Sequence, residues 1–319
     1  MTGKKIITVF GATGAQGGAV ADTFLHDAKL KSDWTVRAVT RNTTSEAAQK
    51  LKSQGAEVVA ADLNDKATLL KAVEGASAVF AVTNYWEKAD HELELRQGKA
   101  LVDAAKDAGV HHFIWSSLIN VSKLSNGKLP HVYHFDSKAQ VEEYARGVGL
   151  PATFFLPGFY MSNIPGGMLR PNPDRDNAWT FSLPVPATAP IPVFDPADTG
   201  KYVKAAVLHR DAVLSRRILG ATAYLTGTEI VEGFKKVFPE AGETATYRQQ
   251  SEAEYLAALT GKGTPEFIAQ ELLENMLLLD QFGYYGGASL DETHALIEDE
   301  LTTWEDYVRK STKWPADLK

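Results

Sequence analysis

The chain of 319 residues contains no cysteine. That absence excludes disulfides, thiolate zinc sites and cysteine nucleophiles at once. A basic run is missing too: 33 Lys and Arg stand against 40 Asp and Glu, for a net charge of −7. Neutralising nucleic-acid phosphates requires clustered cations, so direct nucleic-acid binding is not expected. Nothing approaches the roughly eighteen consecutive apolar residues of a membrane span. Behind Lys4 and Lys5 the apolar run is only five residues, too short for a secretory leader. Repeats and low-complexity tracts are also absent. What remains is an ordinary globular composition, 44% apolar and 23% charged, which argues against disorder. A cytoplasmic protein is expected, extending to the nucleus if its role is regulatory.

The most informative stretch is I-I-T-V-F-G-A-T-G-A-Q-G-G, residues 6–18. A short β-prone run meets Gly11, Gly14 and Gly17, and a helix-compatible segment follows. Gly11 suits a tight turn off the strand, and Gly14 allows backbone to approach a pyrophosphate. Gly17 lets the helix pack closely and aim its first N–H groups at the anion. The spacing is G-x-x-G-x-x-G. The alternative is a glycine-rich turn in some other α/β protein.

Residues 33–40 read as a second strand, with Arg41 just beyond it. No Asp or Glu lies between Trp34 and Ser45, where a carboxylate would bond a ribose 2′-hydroxyl. A guanidinium there suits a 2′-phosphate, which favours NADP(H). The alternative is a solvated arginine at a strand end. A third strand at 56–60 leads to Asp62 and Leu63, a polar edge and an apolar face fit for adenine. Asp65 is placed as the cap of the next helix. A fourth strand at 76–82 opens into Thr83-Asn84-Tyr85-Trp86, at the edge where parallel sheets hold ligands. Tyr85 and Trp86 suit rim packing equally well.

The helix at 89–108 carries His91 and Glu94 three apart with no third ligand nearby, so a solvated face is expected there and no metal. A fifth strand at 112–117 ends in Ser116 and Ser117. A helix from about 131 to 144 and a sixth strand at 151–156 complete the alternation. These elements imply an α/β fold, a doubly wound Rossmann-like parallel sheet with a smaller C-terminal α+β lobe. Residues 1–163 form the expected NADP(H)-binding domain. Residues 165–196 hold more than half of the fourteen prolines and should be extended and turning. Further on, 217–225 reads as one strand, Thr226 and Glu229 as a capping box, and 265–282 and 291–310 as helices. Residues 164–319 are expected to form a substrate or partner lobe, packed on the first domain and partly interleaved with it.

Several motifs carry a more specific likeness: V-F-G-A-T-G-A-Q-G-G (9–18), V-R-A-V-T-R-N (36–42), Q-G-A-E-V-V (54–59), V-T-N-Y-W-E (82–87), H-F-D-S-K (134–138) and V-E-E-Y (141–144). They resemble the NmrA-like family of atypical short-chain dehydrogenase/reductases, and within it the branch of NADPH sensors. The likeness is good over residues 4–163 and weaker beyond, where L-x-x-W at 301–304 is also similar. It implies NADP(H) held at the pyrophosphate by Gly11, Thr13, Gly14, Ala15, Gln16 and Gly17. It further implies Arg41 at the 2′-phosphate and Asp62 with Leu63 at the adenine. Asn84 and Tyr85 would lie near the middle of the cofactor, Lys138 at the nicotinamide ribose, and Tyr160 and Asn163 at the nicotinamide end; Thr83, at the end of the fourth strand, is a further cofactor-binding candidate. A second basic residue of the family stands here as Ser45, which leaves Arg41 most of the 2′-phosphate grip.

Reducing members of the wider superfamily use Tyr-x-x-x-Lys on a helix, the tyrosine donating a proton and the lysine lowering its pKa. Here the lysine is Lys138, and His134 stands where the tyrosine would be. Tyr133, one residue off, is turned about 100° from that face. Two readings follow. In one, the protein is a redox sensor or regulator whose NADP(H) occupancy alters the surface offered to a regulatory protein partner. In the other, it is an NADPH-dependent reductase of a small carbonyl, imine or quinone. Its proton would come from His134 or from a buried Lys138, with Ser116 or Ser117 orienting the carbonyl. The family includes a regulator of fungal nitrogen metabolism, and the acidic balance favours protein contact over DNA contact in any such role.

Overall fold

The computed structural model describes residues 3–315 and Leu318. The first half runs β1 (Lys5–Val9), α1 (Ala15–His26), β2 (Trp34–Thr40), α2 (Glu46–Ser53), β3 (Glu57–Ala60), α3 (Lys66–Val73), β4 (Ala78–Ala81), α4 (His91–Asp107), β5 (His112–Ser116), α5 (Val121–Leu124), α6 (Tyr133–Gly147) and β6 (Ala152–Pro157). The second half continues with β7 (Phe159–Tyr160), β8 (Leu169–Asn172), β9 (Ala178–Leu183), β10 (Ile191–Phe194), α7 (Thr199–Leu208), α8 (Arg210–Val213), β11 (Arg217–Gly220), β12 (Ala223–Leu225), α9 (Gly227–Val237), α10 (Pro239–Gly242), β13 (Thr246–Gln249), α11 (Glu252–Thr260), α12 (Glu266–Gln281), α13 (Asp291–His294) and α14 (Trp304–Lys310).

Seven strands pair in parallel in the order β11-β6-β5-β4-β1-β2-β3. The central strands are mostly apolar because both faces are covered, with buried Thr8, His112, Ser116 and Thr153 as the polar exceptions. Alternation along each strand sorts their side chains into two cores. Val79, Phe113, Trp115 and Phe154 pack with α3, α4 and α6. Phe80, Ile114 and Phe155 pack on the other face with Val20 and Phe24 of α1 and Tyr202 and Val203 of α7. Strand order reverses at β1, which lies between β2 and β4. A crevice therefore opens beyond the carboxyl ends of β1 and β4. No described helix is long and apolar enough to cross a membrane.

The second half differs from the sequence reading in two places. Residues 217–225 are two strands: β11 extends the main sheet, while β12 pairs antiparallel with β10 in a small sheet with β7. The chain changes sheets at Gly220, where a Cβ would come within 2.5 Å of the Phe155 ring and only glycine fits. Residues 291–310 are likewise two short helices. The segment between them is held against α7, where Thr302 N–H donates to buried Asp198 (2.7 Å) and Asp299 pairs with Lys204 (2.9 Å). Thr303 then caps α14. The proline-rich stretch is extended as expected, forming β8, β9 and β10 around short turns, and β13 adds to β9. Thr226 and Glu229 form the capping box of α9.

Candidate functional site

The crevice is a cleft of about 1300 Å³ whose floor is the loop from β1 to α1. Gly11 takes φ +66°, and a Cβ there would meet Val82 Cγ1 at 2.9 Å. A Cβ on Gly17 would overlap the Gly11 carbonyl, so only glycine lets α1 start this close to β1. Gly14 is the N-cap of α1, with no side-chain cap and no acidic residue in the first turn. Helix geometry leaves the leading N–H groups of α1 unpaired, and among the described residues no side chain caps them. Unshielded donors at the positive end of a helix dipole fit a pyrophosphate. Gly17→Ala should lower unfolding stability by about 1–3 kcal/mol. An unchanged denaturant midpoint would contradict the overlap.

One arm of the cleft passes Arg41, Asn42, Ser45, Asp62 and Leu63. Arg41 is two-thirds exposed and donates from Nη1 to Glu87 at 2.6 Å. Glu87 ends the turn Tyr85–Glu87, so the guanidinium meets a carboxylate that lies outside the span between Trp34 and Ser45. Ser45 caps α2 and Asp65 caps α3. Asp62 accepts from Asn64 N (2.8 Å) in a tight turn.

The other arm runs along Thr83, Asn84, Tyr85, Lys138, Tyr160 and Asn163. Gln16 bridges this wall, donating to Tyr160 Oη (2.6 Å) and accepting from Ser116 Oγ (2.8 Å). Lys138 Nζ donates to Glu94 (2.6 Å), which also accepts from Thr83 (2.6 Å) and from Ser137. Burial opposes ionisation of Glu94, but the Lys138 ammonium and the two hydroxyls outweigh it and hold the carboxyl below its usual range. His91, by contrast, faces Gln140 and Tyr133. Among the described residues no three His, Asp or Glu gather at metal-binding spacing.

His134 sits between Trp86 and Phe135, its ring centroid 4.7 and 4.8 Å from theirs. Its Nδ1 lies 2.6 Å from Oε1 of Glu271, a fully buried residue of α12. The same Oε1 accepts His134 N–H (2.8 Å), and Oε2 accepts Tyr85 Oη–H (2.7 Å). A carboxylate that receives three donors assigns the proton to Nδ1, which leaves Nε2 as the nitrogen that can address the cleft. Burial pushes the imidazole below its ordinary range, against the opposing pull of Glu271. Next to it on α12, Glu274 accepts His131 N–H (2.7 Å) and His131 Nδ1 (2.5 Å). Both acids thus also complement the positive end of α6.

Every sequence-derived candidate lines the cleft except one. Ser117 is buried behind it and donates to Glu142 (2.7 Å), while Ser116 faces the cleft. Tyr133 packs against His91 and His131 outside it. Sequence reasoning missed Glu271 and Glu87, and it took Glu94 for a solvated residue. The available signal for Glu271 was a carboxylate within the apolar periodicity of α12, where an unpaired charge would be costly.

A parallel sheet with an uncovered, glycine-lined helix N-terminus at its switch point defines a Rossmann-type dinucleotide-binding architecture. The chain belongs to the NmrA-like family, which matches residues 3–308. It is 34% identical to an NmrA-like family domain-containing oxidoreductase of Malbranchea aurantiaca, over 77% of this chain and 76% of the relative. Among solved structures it resembles NmrA, a negative transcriptional regulator, in complex with NADP (TM-score 0.78, 23% identity, covering 96% of this chain and 95% of that one). It also resembles an Escherichia coli NADPH-dependent quinone oxidoreductase complexed with NADPH (TM-score 0.74, 23% identity, covering 95% and 98%).

Proposed function

We propose that this protein is an NADPH-dependent reductase of a small carbonyl, imine or quinone, with His134 as the proton donor. The observation that carries this reading is the His134–Glu271 pair beside the cleft. The family's Malbranchea relative is named an oxidoreductase, which supports it. Bound NADPH would supply a hydride to the electrophilic carbon. The residues of the chain do the rest. The N-terminus of α1 binds the pyrophosphate, Arg41 takes the 2′-phosphate, and Lys138 holds ribose hydroxyls with its remaining N–H groups. Protonated His134 would give its Nε2 proton to the substrate oxygen, or to the nitrogen of an imine, and remain as neutral imidazole with Nδ1–H on Glu271. Reduction would thus consume one NADPH and one proton and yield NADP⁺ and the alcohol, amine or hydroquinone, according to the substrate.

The test is NADPH consumption by the full chain across aldehydes, ketones, imines and quinones; no turnover with any class contradicts the reading. Its pH dependence has a fixed sign. Glu271, Tyr85, Lys138 and Glu94 are the titratable groups around His134; burial, aided by the Lys138 charge, prevails over the upward pull of Glu271 and Glu94 and depresses its pKa. The donating form is therefore scarce at neutral pH. For reduction, kcat/KM should keep rising as pH falls through neutrality and level off only somewhere below about 6.5, and for alcohol oxidation it should fall as pH drops through that same acid range. A flat profile in both directions would exclude His134 as the donor.

A second reading, the NADPH sensor, is favoured by the Arg41–Glu87 pair. A 2′-phosphate that takes Arg41 frees Glu87 and with it the turn bearing Trp86, which is 46% exposed. That would change the surface offered to a regulatory protein. It requires tighter binding of one redox form without turnover.

A further inference from the structure

The cleft does not end at the cofactor positions. At about 1300 Å³ it exceeds the roughly 300–1,000 Å³ of an ordinary ligand pocket, which leaves room for a second molecule beside a dinucleotide. This extra space is walled by the second half of the chain: Leu259 of α11 and Ile268, Leu272, Asn275 and Met276 of α12. Ile268, Leu272 and Asn275 recur at helical spacing and so share one face. Within that apolar wall stands one carboxamide. Asn275 is 8% exposed, lines the cleft, and its amide nitrogen has no hydrogen-bond partner among the described residues. A buried polar group without a partner destabilises the fold and persists where something else supplies the bond. Asn275 lies four residues beyond Glu271, one turn along the same face, and Glu271 holds His134.

We propose that this part of the cleft is a substrate subsite for a largely apolar carbonyl compound of aromatic-ring size, with Asn275 as the residue that recognises its oxygen. The proposal rests on the reductase reading and names the substrate class for it. Leu259, Ile268, Leu272 and Met276 take up the hydrocarbon body through apolar burial, which has no directional preference of its own. The carboxamide supplies the direction. The amide nitrogen is itself buried; rotation about the last side-chain bond would bring the NH₂ group to the cleft, where it would donate to the substrate oxygen and present that oxygen on the His134 side. A molecule of the same shape without an acceptor leaves the amide unpaired and is discriminated against.

The test uses the full chain saturated with NADP⁺ and two probes of nearly equal size, acetylnaphthalene and ethylnaphthalene, with affinity read from tryptophan fluorescence. The wild-type protein should bind the ketone about tenfold more tightly than the hydrocarbon. Asn275→Leu should bind both with the hydrocarbon's affinity while its NADP⁺ affinity and melting temperature stay close to wild type. Asn275→Asp, which presents only acceptors, should bind the ketone more weakly still. Persistence of the ketone preference in Asn275→Leu overturns the proposal, as does failure of both probes to bind the wild-type protein. A parallel assay of NADPH consumption separates the two ideas. Preference lost in Asn275→Leu without turnover in the wild type leaves the subsite standing and removes the reductase. Turnover of acetylnaphthalene with the preference intact in Asn275→Leu does the reverse.

Discussion

His134→Ala should reduce kcat/KM for NADPH-dependent carbonyl reduction by about 10²–10⁴-fold, the usual contribution of a positioned general acid. NADPH affinity should change little, because the pyrophosphate and 2′-phosphate positions lie on other elements of the cleft. Glu271→Gln separates positioning from proton donation. With its oxygen at the Oε1 position a glutamine still accepts the His134 backbone N–H, and its NH₂ group can donate to Tyr85 Oη, yet it removes the negative charge that raises the imidazole pKa. The acid limb of the reduction profile should therefore move to lower pH, with a smaller loss at its plateau than in His134→Ala. A purely structural role for Glu271 would lower stability and leave the limb in place. Full activity in His134→Ala would move the proton donor elsewhere, with Lys138 next in line.

The second large effect concerns cofactor choice. Arg41→Ala should weaken NADPH binding by about 10–100-fold, as expected for loss of a charge-assisted bond, with NADH affected little. Equal losses for both cofactors would overturn the 2′-phosphate assignment. Glu87→Gln should act in the opposite direction. Glu87 holds the guanidinium at 2.6 Å, and a bound 2′-phosphate would leave that carboxylate unpaired beside a second anion. Removing its charge should tighten NADPH by about 2–5-fold, in keeping with the modest worth of an exposed pair. Titration calorimetry on the four variant and cofactor combinations checks both directions together.

How much of this was readable in advance follows from the range of each interaction. The nucleotide half declares itself locally: Gly11, Gly14 and Gly17 set the loop, and alternating apolar runs set the strands. Asp65, Thr226 and Glu229 fix helix starts within three residues of themselves. The seventh strand was harder, because β11 pairs with β6 across more than sixty residues and only Gly220 marks where its run passes into β12. The serine pair could have been resolved by strand parity alone. Ser116 shares its face with Ile114, toward Gln16 of α1, while Ser117 shares the face of Trp115 and meets Glu142. The partner of His134 could not be found that way. Glu271 is 137 residues distant, and only the docking of α12 on the start of α6 brings it near. The same holds for Asn275, which reads in the sequence as one more polar residue of an amphipathic helix.

The central claim is that one cleft both grips NADPH and places its reactive end beside His134. A crystal structure of the full chain grown with NADPH tests it most directly. The account predicts the pyrophosphate on the first turn of α1, the 2′-phosphate on Arg41 in place of Glu87, and the nicotinamide facing His134 Nε2. A nicotinamide directed away from His134, or Arg41 still paired with Glu87 at saturating NADPH, would contradict it.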